Sequence, residues 1–370
     1  MASGFGLGLV ALCLQLSGGG AAGQSATQAA ARIDRLLSDA YPAAGPGAAV
    51  LVSKAGTLII EKGYGLADTA RGVPVTPATV FRLASVTKMF TGTVILMLAE
   101  RGALALDDTV TRLLPAYPAS GQTITVRHLL SHTSGLADYL DRPDSMEWAN
   151  HEHTVQALVD AFKDRPSTFA PGQQYTYSNS DYVLLGAIVE KVSGMSFAAF
   201  AEANLFKPLG MASTSCGGTW ADIPALATAY EPARTAGGEP DWGRLLVARP
   251  YTMSALFTAG GCVSSVRDLA TLHDALLGGA LIARPLLARS FAPVELPGGR
   301  PGTVSQGGWQ LDQIQGRRAA MRGGALPGVC TWFLTLPDDE VTVVLLSNRT
   351  PGKPRCGMLA GQIAAIATGR

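Results

Sequence analysis

The sequence predicts an α/β fold in which both chain ends form one antiparallel sheet flanked by helices, with a large helical domain inserted between them. Three observations carry this prediction: a pair of strand-like runs near each end, capped helical segments in the middle, and apolar helical faces at both termini. An isolated hairpin is not stable as a sheet, so the simplest arrangement joins the two pairs. We therefore expect a sheet domain from residues 24–80 and 305–370, and a helical domain over 81–304.

The strands are predicted from two hairpin patterns. Near the start of the chain, AAVLVS (48–53) and TLIIEK (57–62) flank a Lys-Ala-Gly turn. Near its end, TWFLTL (331–336) and TVVLLS (342–347) flank a Pro-Asp-Asp turn. Short aliphatic and β-branched runs bounded by Gly, Pro or Asp are typical of strands joined by tight turns.

The helices between these hairpins are predicted from capping residues. Thr154, Ser180 and Ser264 precede helical patterns, and Gly194 and Gly278 stand where such helices would stop. Hydroxyl side chains accept the free N–H groups at a helix start, and glycine suits the backbone at a helix end.

Helical patterns also stand at both termini. Residues 26–40 and 357–369 repeat apolar side chains at helical spacing, so each segment offers an apolar face that can cover the sheet. The stretch PVELPGGRPG (293–302) marks the return of the chain to the sheet.

Composition limits the partners of this protein. With 370 residues and 47% hydrophobic content, the chain can bury a large core in two packed units. Its 29 basic and 28 acidic residues form no basic stripe, which gives no electrostatic reason to expect nucleic acid as a partner. A small molecule or a short peptide is the expected substrate.

The N-terminus predicts a secretory signal. An apolar run of twelve residues from Phe5 to Leu16 precedes small residues, which predicts a signal peptide over 1–23 with cleavage near Gln24. No Lys or Arg precedes the run, so an apolar leader on a cytosolic enzyme is the alternative. Neither this run nor any later one reaches the ~18 apolar residues of a membrane helix. We expect an exported protein, periplasmic or secreted, without a transmembrane segment.

Four cysteines remain once Cys13 leaves with the signal peptide: Cys216, Cys262, Cys330 and Cys356. Their spacing matches no metal motif. In an exported protein they can form disulfides in three pairings, and isolated buried thiols are the alternative. The one pairing that we single out joins Cys330 to Cys356.

A serine and a lysine stand three residues apart at the start of an apolar helical pattern. Ser85 and Lys88 would project from one helix face, within reach of a hydrogen bond. The residues from Met89 to Ala99 carry no charge, which predicts a helix buried on all sides and a lysine that cannot reach solvent. Burial and nearby positive charge lower the pKa of a lysine. We therefore predict that Ser85 is a nucleophile and Lys88 its base.

Two further motifs add candidate groups. Tyr177 and Asn179 stand on a Pro- and Gly-delimited loop before a helix, where the phenol could relay a proton and the amide could hold a substrate carbonyl or the lysine. A packed tyrosine followed by a helix cap is the alternative. In MRGGALPG (321–328), Gly323 and Gly324 let backbone N–H groups approach a ligand, as an oxyanion hole requires. An ordinary Gly-rich turn is the alternative there.

These motifs, taken in order, resemble those of a known family. Ser85-Val86-Thr87-Lys88, Tyr177-Ser178-Asn179 and Arg322-Gly323-Gly324 are similar to the three motifs of the serine β-lactamase-related family, which includes class C β-lactamases, D-alanyl-D-alanine carboxypeptidases and related esterases. The likeness covers about residues 30–365. It implies a β-lactamase/transpeptidase-like fold and a penicillin-recognising serine hydrolase.

The resemblance also implies a role for each matched residue. Ser85 would form an acyl-enzyme, Lys88 would take its proton, and Tyr177 would share the proton relay. Asn179 would contact the substrate or Lys88, and the backbone N–H groups of Ser85 and Ala325 would form the oxyanion hole. No cofactor and no metal is implied.

Two positions of the third motif depart from the family. Arg322 stands where Lys or His is usual, and Gly323 replaces the threonine of the β-lactamase form. Without that hydroxyl, the resemblance implies peptidase or esterase activity rather than efficient β-lactam hydrolysis. Arginine stays protonated and binds carboxylates through its planar fork. We therefore expect Arg322, together with Gly323 and Gly324, to position the substrate.

Other chemistries fit less well. His128 and His132, four residues apart, and the segment His151-Glu152-His153 could ligate zinc, but no partner that would orient a ligand is recognisable. An α/β-hydrolase is disfavoured because the sequence contains no Gly-x-Ser-x-Gly. The alternative function is a catalytically silent binding or sensor module of the same fold.

Overall fold

The computed structural model describes residues 19–249, 251–352 and 354–369, with the backbone alone for 19–25, 300 and 301. Residues 1–18 of the predicted signal peptide lie outside the described residues, and helix α1 begins at Gly19. Cleavage near Gln24 stays a prediction.

One eight-stranded antiparallel sheet forms the framework of the molecule. In spatial order, with numbers that follow the chain, its strands are β10 (Pro293–Leu296), β11 (Arg300–Ser305), β12 (Gln310–Ile314), β13 (Arg317–Leu326), β14 (Val329–Leu336), β15 (Val341–Ser347), β1 (Ala48–Lys54) and β2 (Thr57–Tyr64). Both predicted hairpins are confirmed, and β15 pairs with β1 from Val341 opposite Lys54 to Ser347 opposite Ala48. The two chain ends therefore join in one sheet, as expected.

The sheet also contains two strands that precede the predicted boundary at residue 305, namely β10 and β11. The division of the chain into a sheet domain and a helical domain stays a prediction. Smaller ladders join β3 (Leu66–Asp68) to β4 (Val73–Pro74), β9 (Cys262–Ser264) to both β5 (Phe81–Arg82) and β6 (Ser215–Cys216), and β7 (Tyr230–Arg234) to β8 (Pro240–Val247).

Helices cover the sheet and fill the middle of the chain. The α-helices are α1 (Gly19–Ala40), α2 (Lys88–Glu100), α3 (Val110–Leu113), α4 (Val126–Leu130), α5 (Ser145–Trp148), α6 (Val155–Asp160), α7 (Asn179–Ser193), α8 (Phe197–Ala201), α9 (Met253–Gly260), α10 (Val266–Leu277), α11 (Arg284–Phe291) and α12 (Cys356–Ala367). Short 3-10 helices cover Ala84–Thr87, Ala119–Gln122 and Trp220–Asp222, and a π-helix covers Glu202–Phe206.

The predicted helix caps are partly confirmed. Thr154 caps α6, and Gly194 ends α7 in the left-handed conformation. Helix α10 is capped by Ser265, one residue after the predicted cap, because the Ser265 hydroxyl accepts the free N–H of the helix. Helix α7 begins before Ser180, since the Ser180 hydroxyl donates to the carbonyl of Ala137 and does not serve as a cap.

Both faces of the sheet are buried at its centre, in β14, β15 and β1. Successive residues of a strand point to opposite faces. Accordingly, Val343 and Leu345 of β15 pack in a cluster with α1 and α12, whereas Val344 and Leu346 pack in a cluster with α2 and α7. The sheet is therefore the middle layer of three.

Two disulfides join distant parts of the chain. Cys330 on β14 is bonded to Cys356 at the start of α12, which confirms the predicted pairing, and Cys216 on β6 is bonded to Cys262 on β9. Among the described residues, no single helix is both long and apolar enough to cross a membrane. One helix pair bent by 73°, Asn179–Ser193 with Phe197–Phe206, meets the length and composition requirements only jointly.

Candidate active site

Ser85 lies on the 3-10 turn that leads directly into α2. Both ends of this turn are hydrogen-bonded to β9: Leu83 donates its N–H to the carbonyl of Cys262 over 3.0 Å, and Cys262 donates its N–H to the Thr87 hydroxyl over 3.1 Å. Ala84 has φ +48°, a left-handed conformation that is costly for a residue with a Cβ. The surrounding contacts thus hold Ser85 on a strained turn at the start of a buried helix.

Glycines allow β13 to approach this turn. A Cβ at Gly324 would lie 2.3 Å from the carbonyl oxygen of Leu83, and a Cβ at Gly323 would lie 2.2 Å from the ring of Trp332. A side chain at position 324 would therefore push β13 away from the turn, and one at position 323 would displace the Trp332 ring on β14. The next residue, Ala325, lines the same pocket as Ser85, where the resemblance puts the oxyanion hole.

Lys88 is buried with its amine beside Ser85. Its side chain is 1% exposed, and Nζ lies 3.3 Å from Ser85 Oγ, 2.9 Å from Asn179 Oδ1 and 2.7 Å from the carbonyl oxygen of Ala259. Burial, followed by the positive charge of Arg322, holds the pKa of Lys88 well below its usual value. The amine can therefore act as a proton acceptor.

Tyr177 completes a hydrogen-bonded triangle with these groups. Its hydroxyl lies 2.6 Å from Ser85 Oγ and 3.2 Å from Asn179 Oδ1, and Lys88 Nζ lies 4.8 Å from the centre of its ring. Tyr177 as a whole is 38% exposed, but its hydroxyl lies against Ser85 and Asn179, and the loss of solvation there raises the pKa of the phenol above its usual value. The phenol therefore keeps its proton at neutral pH. The group can donate a proton where one is needed.

Asn179, the first residue of α7, links this triangle to a carboxylate that the sequence analysis missed. Its Oδ1 accepts from Lys88 and Tyr177, while its backbone N–H and Nδ2 both donate to Asp138 Oδ2 over 2.9 Å. Asp138 thereby fixes which way the amide points. Its loop carries no motif that would have identified it, and the Ala259 carbonyl has no sequence signature.

Arg322 is mostly buried and lines the same pocket as Ser85 and Gly324. Its side chain is 6% exposed and donates to the hydroxyl of Tyr182 over 3.2 Å. Among the described side chains no carboxylate lies within ion-pair distance of this guanidinium. Arg322 also lines a small internal cavity together with Lys88. The expected contact of Arg322 with a substrate carboxylate stays a prediction. Its positive charge is the second cause, after burial, of the low pKa of Lys88.

A pocket opens in front of Ser85. Its volume is about 470 Å³, and its walls include Ser85, Tyr177, Gly324, Ala325, Trp332 and Arg355. This volume suits a small molecule or a short stretch of peptide.

Three of the histidines weighed as metal ligands have other partners. His128 Nδ1 accepts the N–H of Thr125 as part of a helix cap, His132 lies against Asp181, and the ring of His153 stacks on Trp148 with centroids 3.8 Å apart. Within residues 19–369, apart from 250 and 353, no three His, Cys, Asp or Glu side chains are grouped to hold a metal.

Comparisons with known proteins address the family and the fold of this chain. A family model described as Beta-lactamase matches residues 34–367. Penicillin-binding protein 4* of Bacillus subtilis (strain 168) is 33% identical over 312 residues, which cover 81% of this chain and 67% of that protein. Protein flp of Staphylococcus aureus (strain MRSA252) is 36% identical over 174 residues, which cover 46% of this chain and 34% of that protein.

A solved structure supports the fold. The D-amino acid amidase from Ochrobactrum anthropi SV3, complexed with D-phenylalanine, superposes with a TM-score of 0.77 at 25% identity, covering 92% of this chain and 98% of that one. The expected β-lactamase/transpeptidase-like fold is thus confirmed. Since the family model spans most of the sequence and a relative matches over four fifths of it, the chain belongs to the Beta-lactamase family.

Proposed function

We propose that this chain is a serine hydrolase that cleaves an amide or ester bond through an acyl-enzyme on Ser85. The observation that carries the proposal is the convergence of a buried amine and a phenol on one serine hydroxyl, at 3.3 Å from Lys88 Nζ and 2.6 Å from Tyr177 OH. Nucleophile and base within hydrogen-bond reach, with the base oriented by further groups, is the arrangement that activates a serine.

Acylation begins with the transfer of the Ser85 hydroxyl proton to the neutral amine of Lys88. Oγ then bonds to the carbonyl carbon, and the carbonyl electron pair moves onto oxygen, stabilised by the N–H groups of Ser85 and Ala325. When the bond to the leaving group breaks, the Tyr177 hydroxyl gives that group a proton, and the phenol regains one from Lys88. The leaving group departs neutral, and the acyl-enzyme remains.

Deacylation reverses the proton movements with water as the nucleophile. Water loses a proton to the Lys88–Tyr177 pair, and its oxygen bonds to the acyl carbon. The bond between that carbon and Ser85 Oγ then breaks, the acid is released, and the held proton restores the Ser85 hydroxyl. Asn179 and the Ala259 carbonyl hold the Lys88 amine in place, which supports a positional role for both.

Amides and esters of small acids are the substrates that we favour. One similar protein is a D-amino acid amidase, which makes D-amino acid amides the first compounds to test. Efficient β-lactam hydrolysis is not expected, because Gly323 offers no hydroxyl to a substrate carboxylate.

We also propose that the mature chain works outside the cytoplasm. The two disulfides support this proposal, because such bonds persist in oxidising compartments and are rare in reducing ones. The predicted signal peptide over 1–23 agrees with it.

The deciding experiment compares wild type, Ser85→Ala and Ser193→Ala with a fluorophosphonate probe and a panel of D-amino acid amides, p-nitrophenyl esters and nitrocefin. Ser193 stands at the far end of α7 and serves as the control. We expect labelling and turnover to vanish only in Ser85→Ala, with an unchanged thermal melt. Labelling of Ser85→Ala at the wild-type level would refute the proposal. Absence of both labelling and turnover in wild type would indicate the silent binding module.

A further inference from the structure

Tyr177 belongs to neither a helix nor a strand. It lies on a loop that precedes α7, and its side chain is 38% exposed. A phenol that must stay 2.6 Å from Ser85 Oγ needs support from another part of the chain, because loops of this kind are otherwise mobile.

One residue, His132, contacts this loop on both sides of Tyr177. The backbone carbonyl of His132 accepts the N–H of Thr176 over 3.0 Å, and His132 Nδ1 accepts the N–H of Ser178 over 3.4 Å. The His132 ring lies against the Tyr177 ring, with centroids 4.7 Å apart. His132 therefore supports the loop on both sides of Tyr177 and also contacts the Tyr177 ring.

His132 is itself held in place. It is fully buried, and its φ of +55° is maintained by the surrounding contacts. Asp181 Oδ2 lies 3.1 Å from His132 Nδ1, and the hydroxyl of Ser134 donates to the other oxygen of the same carboxyl group. Asp181 stands in the first turn of α7, two residues after Asn179, so the helix that carries the catalytic amide also fixes the histidine.

His132 and Asp181 are both buried close enough to Lys88 for its charge to act on them. Burial raises the pKa of Asp181 well above its usual value, and burial together with the charges of Arg322 and Lys88 lowers the pKa of His132. Both directions favour a neutral pair. Among the described residues no hydrogen bond joins His132 to Ser85, so the histidine does not serve as the base.

We propose that His132 is a positioning residue that holds the Tyr177 hydroxyl against Ser85, and that Asp181 orients its ring. The inference rests on the proposed function, because His132 would act through the phenol and touch no reacting atom. Replacing His132 should therefore misplace the Tyr177 hydroxyl in the transition state without affecting substrate binding. We expect kcat to fall and KM to stay nearly unchanged.

The first test compares two amides at position 132. His132→Asn keeps an acceptor close to the place of Nδ1, and asparagine tolerates a left-handed backbone. His132→Gln moves its amide toward the place of Nε2 and leaves the Ser178 N–H without a partner. We expect kcat for a p-nitrophenyl ester to fall roughly 10- to 100-fold in His132→Gln and only about threefold in His132→Asn. Equal losses would overturn the proposal.

The second test is a double-mutant cycle with Tyr177→Phe. If His132 acts through the phenol hydroxyl, His132→Gln should cost less than about twofold in kcat once that hydroxyl is gone. A purely structural role would give the same loss in both backgrounds and would refute the inference. Fluorophosphonate labelling of wild type at Ser85 tests the proposed function separately, so the two failures are distinguishable.

A variant series at Asp181 covers the case in which His132→Gln does not fold. In a neutral pair, Asp181→Asn can still donate to His132 Nδ1 and accept from Ser134, whereas Asp181→Ala can do neither. We expect Asp181→Asn to keep kcat within about threefold and Asp181→Ala to lose roughly tenfold or more at unchanged KM. Wild-type kcat in Asp181→Ala would contradict the inference.

Discussion

Arg322 is a buried positive charge close to the amine of Lys88. Lys88 Nζ lies 5.4 Å from the centre of the Tyr182 ring, and Arg322 Cζ lies 5.7 Å from the same centre, so the two cations are at most about 11 Å apart. At that separation and an effective dielectric constant of about 20, their repulsion is about 1.5 kcal/mol. Such an energy changes the ratio of neutral to protonated amine roughly tenfold.

Arg322→Met removes the charge and keeps most of the stem. The pKa of Lys88 should then rise, because burial remains while the second cause of its low value is lost. Only the neutral amine can accept the Ser85 proton, so the acid limb of kcat/KM should move to higher pH. On that limb kcat/KM should fall roughly tenfold, and the plateau at high pH should be retained.

The measurement is kcat/KM for a neutral p-nitrophenyl ester from acid to alkaline pH, in wild type, Arg322→Met and Arg355→Met. Arg355 lines the same pocket but is exposed, so solvent screens its charge and the acid limb should stay in place. An unchanged limb in Arg322→Met, with a ten- to hundredfold loss confined to substrates that bear a carboxylate, would refute this reasoning. It would support the substrate-positioning role expected from the sequence.

Three further predictions concern single positions. Lys88→Met should reduce turnover by ~10² or more and raise the melting temperature, because a buried amine is replaced by an apolar group of similar size; an active variant would exclude Lys88 as the base. Gly324→Ala should destabilise the fold by about 1 to 3 kcal/mol in urea unfolding and abolish labelling, whereas Gly361→Ala, in a helix with space around it, should be neutral or stabilising. Burial lowers the pKa of His273 to about 4, so its contribution to stability is present above the unfolded pKa of 6.5 and is lost as the pH falls toward 4. His273→Gln should show a smaller fall in unfolding free energy between pH 7 and pH 4, by up to about 3 kcal/mol, and an identical fall would contradict this assignment.

Three of the four predicted strands, β1, β14 and β15, have both faces buried, whereas β2 is mostly half-buried or exposed. β1 and β15 read as continuous apolar runs because each face of the sheet is covered by helices. β11 and β12 escaped prediction because their segments, RPGTVS and QLDQI, are short and polar. β8 was also not predicted. Its sequence starts with a proline and its residues are mostly exposed, so it lacks the apolar alternation typical of a strand.

The candidate site was predictable where side chains act in local motifs. Ser85 and Lys88 stand three apart, Tyr177 and Asn179 two apart, and the structure brings all four within hydrogen-bond distance of one another or of a shared partner. Asp138 was not predictable, because its contact with α7 depends on the path of a loop. The burial of Arg322 likewise follows from which face of β13 meets the helices.

The pairing of β1 with β15 has a consequence for the order in which the chain can fold. Gly47, just before β1, donates its N–H to Asn348, just after β15, across 301 positions of sequence. During synthesis the edge of β1 that pairs with β15 therefore stays open while roughly 300 further residues are made. An open strand edge of this kind is prone to non-native pairing. The turn that carries Ser85 is also made early in synthesis, and its partner strand β13 is made more than 200 residues later. A nascent chain thus holds a complete Ser85–Lys88 segment long before it can hydrolyse anything, and activity should appear only after the last strands have been released.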